Sequence, residues 1–241
     1  MVYNINIIMK KLEALGNKQI KRIYINHGAK EPLYGVKIGD LQPIARKIKR
    51  NYELSIKLYE TGNYDAMYLA GLIADSKKMS KEDFANWMEK AYCHGLADYT
   101  VATTLAKSNM AQEIADKWIS SQKELYQSAG WTCYCQLLKD KDNNKISKEK
   151  MEKFLYNIEL NIHKSANRVR YSMNNFVITV GIFYKPLEEQ ALEVAKSIGK
   201  VHVEMGKTSC KTPLATTYIQ KAIDKRIKQL WKDIINTTTL I

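Results

Sequence analysis

Between Lys90 and Lys107 the chain carries one formally charged side chain, Asp98, with His94 four positions before it in the run AYCHGLADYTVATTLA, Ala91 to Ala106. A carboxylate in apolar surroundings is costly unless paired, and function often explains that cost. The chemistry open to one such group is electrostatic stabilisation of a developing cation, or proton transfer with a nearby histidine. A plainer reading stands beside it: Gly95 ends one helix and Asp98 caps the next. The two are compatible, because a capping aspartate can also face a groove.

Other candidates are fewer. Arg168 and Arg170 open an otherwise uncharged segment that runs on to Tyr184. Two residues apart on a helix, they point to different sides, so one is placed for a phosphate while the other pairs internally, or both are ordinary surface residues. Trp131 and Phe176 lie in apolar runs whose default is core packing, as it is for Trp87, Trp118 and Trp231. Gly206-Lys207-Thr208 resembles the end of a phosphate-binding loop, but Val201 stands where that motif needs glycine. What remains is a basic loop in which Lys207 and Lys211 can touch phosphate. Cys133 and Cys135 face different ways on a helix and make a poor metal pair, and the scattered histidines complete no zinc spacing. No metal and no cofactor are expected.

These residues need elements to hold them, and the pattern predicts helix after helix. Candidates are Ile5–Leu15, Lys18–Asn26, Asp40–Arg50, Glu53–Glu60, Tyr64–Ala74, Lys81–Tyr92, Tyr99–Ala106, Ala111–Ser120, Lys123–Leu138, Lys148–His163, Asn167–Tyr184, Leu187–Ile198 and Thr216–Trp231. Asp40, Ser80 and Ser147 are N-cap candidates. Mid-helix Ala-Gly pairs in YLAGLIAD (68 to 75) and QSAGWTCY (127 to 134) offer close helix approach, as does Gly181. Short links between consecutive helices imply stacked antiparallel pairs: an all-α superhelix of degenerate HEAT/ARM-like repeats. The expectation is a single domain, residues 1–241, with a surface loop at 139 to 148 and a flexible tail at 236–241.

Eleven glycines and four prolines are few for an all-β chain of this length. The net charge of +13 is unevenly placed. Residues 1 to 50 carry eleven Lys/Arg against three acids, residues 51 to 199 nineteen against nineteen, and residues 200 to 241 eight against three. Two basic ends around a neutral middle suit a clamp on a long polyanion, with nucleic acid as the leading partner and membrane disfavoured. Four cysteines, and an apolar run at Met1 to Lys10 too short for a signal peptide, suggest reduced thiols and a cytoplasmic monomer.

Tyr34-Gly35-Val36, followed by Asp40-Leu41 and Ile44-Ala45-Arg46-Lys47-Ile48, then NRVRYSMNNFV and CKTPLATTYI, resembles the bacterial DNA alkylation repair proteins of the AlkD-like family. The likeness runs from Tyr34 to Ala222, and the order and spacing of the motifs carry it. It implies HEAT-like repeats whose concave basic face holds double-stranded DNA, and an N-glycosylase acting on N3- or N7-alkylated purines. A cationic alkylpurine leaves without a strong general acid, so one aspartate that stabilises the sugar cation is sufficient. Carried over by position, that aspartate falls on Asp98, and two groove tryptophans fall on His94 and Phe176. An arginine that the family carries in its middle repeats is absent, with Gly130 and Trp131 in its vicinity, and His94, Trp131 and Phe176 are expected to line the groove. Arg46, Arg50, Arg168, Arg170, Lys207 and Lys211 are the cations available for phosphates. The two aromatic departures mark a short, divergent branch and keep an alternative open: a non-catalytic module for damaged, bent or branched DNA. A scaffold for an acidic protein is a third reading.

Overall fold

A computed structural model describes residues 3–140 and 146–238, with side chains through residue 229. Among these residues there is no strand. The helices, in order, are α1 (Ile5–Ala14), α2 (Lys18–Asn26), α3 (Ile38–Ile48), α4 (Tyr52–Glu60), α5 (Tyr64–Ile73) and α6 (Lys81–Lys90). Next comes a composite helix α7, in which α-helical His94–Leu96 runs into a π-helical stretch, Ala97–Ala102, and out through Thr103–Leu105. Then follow α8 (Ala111–Ile119), α9 (Glu124–Leu138), α10 (Lys148–Asn161), α11 (Asn167–Phe183), α12 (Glu188–Ile198) and α13 (Ala215–Thr238). Residues 141–145 of the expected loop and 239–241 of the expected tail lie outside the described residues, while the backbone of 236–238 continues α13.

Side-chain oxygens set six of the helix starts. Asn4, Asn17, Asn51 and Asn63 each accept a hydrogen bond from a first-turn amide, satisfying donors that the helix leaves open. Ser80 forms a reciprocal capping box with Asp83, and Ser147 caps α10 through the Lys150 amide. Asp40 is not a cap: α3 begins two residues earlier, after Lys37, and Asp40 sits in its first turn, where a carboxylate complements the helix dipole. Nor does Gly95 end a helix. It lies inside α7, where a β-carbon would stand 2.5 Å from the Tyr64 hydroxyl.

The chain divides into two compact units. The first comprises Met1–Leu137 with Glu204–Cys210, and the second Leu138–Val203 with Lys211–Ile241. Within the first, α4 packs on α5, α5 also meets α3 and α7, and α6 supports α7. Glycines permit the tightest crossings. A β-carbon on Gly71 of α5 would meet the Thr100 methyl of α7 at 2.7 Å, and one on Gly130 of α9 would meet the Ala115 carbonyl of α8 at 2.9 Å. The core beside them is aromatic: Tyr59 stacks on Trp87 at 4.2 Å and donates its hydroxyl to the Trp87 carbonyl at 2.8 Å.

The Tyr34–Val36 corner is built around a buried acid. Asp65, on α5, accepts the amides of Tyr34 (2.6 Å), Gly35 (3.1 Å) and Val36 (2.8 Å) and is fully buried. Gly35 has φ +80°, and a β-carbon there would lie 2.5 Å from the Lys21 amide and 2.6 Å from the Asn17 carbonyl. A carboxylate accepting three amides is a fully satisfied anion, so this corner of the sequence motif holds the fold and leaves no room for a phosphate.

In the second unit α11 packs against α12 and α13. A β-carbon on Gly181 of α11 would meet Ile219 of α13 at 2.7 Å, and buried Asn174 donates to the Pro213 carbonyl at 2.9 Å. Glu188, at the start of α12, joins Lys185 at 2.7 Å and Arg226 of α13. Burial pushes its carboxyl up, but the bonds and charges of Lys185 and Arg226 together outweigh that and leave it below the usual glutamate value.

Candidate nucleic-acid interface

Asp98 sits in the wide turn of α7 and is 2% exposed. Both its oxygens accept from the Ser128 hydroxyl of α9, at 2.9 and 3.0 Å. The carboxylate is thus held inside helix packing and does not face solvent. His94, half-buried one turn earlier, sets its ring edge-on to His27 with centroids 6.0 Å apart, and the Cys210 thiol lies 3.9 Å from His27 Nε2. Among the described residues no cluster of three or more His, Cys, Asp or Glu could hold a metal ion, and the cysteines are free.

Two residues expected to line a groove are core residues instead. Trp131 is 1% exposed on α9, and Phe176 is fully buried on α11, edge-on to Phe154 at 5.9 Å. Each occupies the inward stripe of a helix packed on more than one side, so its area is spent on the core. Arg168 and Arg170 are both half-buried: Arg168 lies over the Tyr171 ring at 4.4 Å, and Arg170 donates to Asn167 at 3.3 Å. Lys207, in the first unit, and Lys211, in the second, are exposed in a non-helical stretch that leads to α13, with no helix directly after Gly206. That stretch is not a phosphate-binding loop of the strand-to-helix kind.

Some cations of the first unit are paired with acids and others are not. Lys21, Lys81, Lys90, Lys117 and Lys123 are consumed by acids: Glu31 at 2.6 Å, Glu113 at 2.7 and 3.0 Å, Glu89 at 2.9 Å, and Glu60 with Lys90. Each such exposed pair is worth little to stability, but it removes a carboxylate from competition. Arg46, Lys49, Arg50, Lys77, Lys78 and Lys107 form no ion pair among the described residues. Arg46 lies in the last turn of α3 with Lys49 and Arg50 just after it, Lys77 and Lys78 stand four and five residues past α5, Lys107 stands two past α7, and hydrogen bonds tie these segments together. The Asn51 amide donates to the Ile73 carbonyl at 2.7 Å, and the Ser76 hydroxyl donates to the Lys107 carbonyl at 3.1 Å.

Helix dipoles favour cations at C-terminal ends, which accounts for one cation per end. It does not account for two crowded together. Desolvation first, and the neighbouring Arg50 charge second, hold the Lys107 ammonium below the usual lysine value. Like charges kept close without a counter-ion raise the free energy of the unliganded protein, and a phosphate relieves it. Sequence reasoning named Arg46 and Arg50 but passed over Lys107 and the Lys77-Lys78 pair. The available signal was their position, within five residues of the ends of apolar helices.

Among the described residues no helix is long and apolar enough to cross a membrane. The family model described as DNA alkylation repair enzyme matches residues 8–225. An uncharacterized protein of Listeria innocua is 40% identical over 218 residues, covering 88% of this chain and 94% of the relative. An uncharacterized protein of Listeria monocytogenes is 39% identical over the same span and shares. A solved structure with TM-score 0.87 and 48% identity covers 92% of this chain and 95% of its own. It is described as a new family of proteins related to the HEAT-like repeat DNA glycosylases, with affinity for branched DNA structures. The stacked helical pairs are therefore HEAT-like repeats.

Proposed function

Because this chain belongs to the DNA alkylation repair enzyme family, we propose that it is a DNA-binding member that holds branched or bent DNA without excising bases. The observation that carries this reading is the uncompensated cluster of Arg50, Lys107 and their neighbours at the joined helix ends. Arg50 and Lys107, near each other and free of carboxylates, suit closely spaced phosphates such as those where duplex arms converge. The structural relative described as having affinity for branched DNA supports the same direction.

The second reading is the glycosylase, favoured by family membership and by an aspartate placed on α7. Against it stands the surrounding geometry. Excision through a sugar cation needs a carboxylate oxygen and aromatic rings facing the substrate. Asp98 is held inside the packing by Ser128, and the Trp131 and Phe176 rings are enclosed.

Two assays separate the readings. Binding of a four-way junction and of a linear duplex of equal length is measured across a salt series. Junction binding is expected to be tighter, with log K falling by about 0.9 for each phosphate neutralised. Release of 7-methylguanine from methylated DNA is expected to stay at background. Release that disappears in Asp98→Asn would establish the glycosylase, and equal binding of junction and duplex would remove the branch preference.

A further inference from the structure

Resting on the DNA-binding reading, we propose that Tyr99 is a stacking platform for an unpaired base at a branch or distortion, with Lys107 taking an adjoining phosphate. Tyr99 is 46% exposed, and every other aromatic side chain described in the first unit is half-buried or buried. Single exposed apolar residues are ordinary, so exposure alone says little. Its placement says more.

Tyr99 faces solvent from within the wide turn and Lys107 is exposed in the turn that follows α7, with half-buried Thr103 between them, while Asp98, Thr100, Val101, Thr104 and Leu105 are buried. Lys107 lies beside Arg50, and neither has a carboxylate partner. The face therefore joins one π-surface to an anion-seeking edge, the combination that binds single-stranded nucleic acid.

The ring is also held in place. π-Helical turns are rare and recur at functional sites. Here the Thr103 hydroxyl donates to the Tyr99 carbonyl at 2.7 Å and lies 3.2 Å from the Thr100 carbonyl, and the Thr104 hydroxyl donates to the Thr100 carbonyl at 2.7 Å. These bonds fix the backbone under Tyr99, so little order has to be gained when a base arrives.

The test compares wild type, Tyr99→Ala, Tyr99→Phe and Lys107→Gln on two DNAs, a fully paired duplex and the same duplex with a flipped or unpaired base. Tyr99→Ala is expected to weaken binding of the second DNA by about tenfold, the lower range of a base–aromatic stack, with an unchanged salt slope and unchanged duplex binding. Tyr99→Phe is expected to keep wild-type affinity, and Lys107→Gln to reduce the salt slope by about 0.9. Wild-type behaviour of Tyr99→Ala beside a weakened Lys107→Gln would overturn stacking while leaving the DNA-binding reading intact. An equal loss in Tyr99→Phe and Tyr99→Ala would overturn it too, by assigning the effect to the hydroxyl. Failure of wild type to bind either DNA would end both.

Discussion

At the scale of single residues, the contrast between Asp98 and Tyr99 decides how the central helix is read. The two are neighbours, yet one is enclosed and the other faces solvent. Asp98 has a structural role through Ser128, and this is open to measurement. Ser128→Ala removes a hydroxyl donor from a buried carboxylate and is expected to cost about 1–3 kcal/mol in urea unfolding. An unchanged midpoint would show that other contacts carry Asp98. His94 and Asp98 were expected to share a groove because the family's tryptophan, one helical turn before its aspartate, falls on His94. The wide turn adds a residue to that period, so spacing rules taken across it slip by about one position. Nothing in LADYTVATT announces a π-turn, and the hydroxyls that sustain it are common in ordinary helices as well.

At the scale of elements, the helices were largely legible. Lys18–Asn26 has the bounds expected of it, and most other helices differ by a residue or two at their ends. Local causes explain this success: asparagine and serine caps, the Ser80 box and uninterrupted apolar stripes all act within a few residues. The mid-helix glycines were also readable as points of close approach, and Gly71, Gly130 and Gly181 each face a neighbouring helix at contact distance. Gly181→Ala drives a methyl into Ile219 and is expected to destabilise the second unit by about 1–3 kcal/mol. Since the obstructing atoms belong to one side chain, Ile219→Ala in the same molecule should restore part of the loss. A double variant less stable than the sum of the two single changes would refute that steric account.

At the scale of the whole molecule, the charge excess is the feature that composition exposes and pairing refines. The neutral middle of the chain pairs many of its lysines with acids, while Arg50 and Lys107 stand near each other without a carboxylate partner where bonded helix ends meet. This arrangement has a cost that pH reveals. Because the folded Lys107 value lies below the unfolded one, the unfolded chain binds more protons between the two. Stability contributed by this residue therefore rises as pH climbs through the depressed value towards the ordinary lysine value, and the charged form costs stability at neutral pH. Lys107→Met is accordingly expected to raise Tm by up to a few degrees at pH 7 while weakening DNA binding. A lowered Tm would show that the ammonium is stabilising where it lies. Glu188 runs the other way: its lowered carboxyl contributes stability above the ordinary glutamate value, lost as pH falls through the depressed one.

The sequence by itself determined the helices, the shared positions of small residues, the basic balance and the family, because each of these depends on neighbours within a turn or two or on a simple sum. The tertiary structure decided which acid faces inward, which cations are left without partners and which aromatic ring meets solvent. Those outcomes arise from residues 29 or more positions apart, such as Asp65 under Tyr34–Val36, Ser128 against Asp98 and Lys107 beside Arg50. Burial and charge compensation are properties of packed neighbours, and only packing says who those neighbours are.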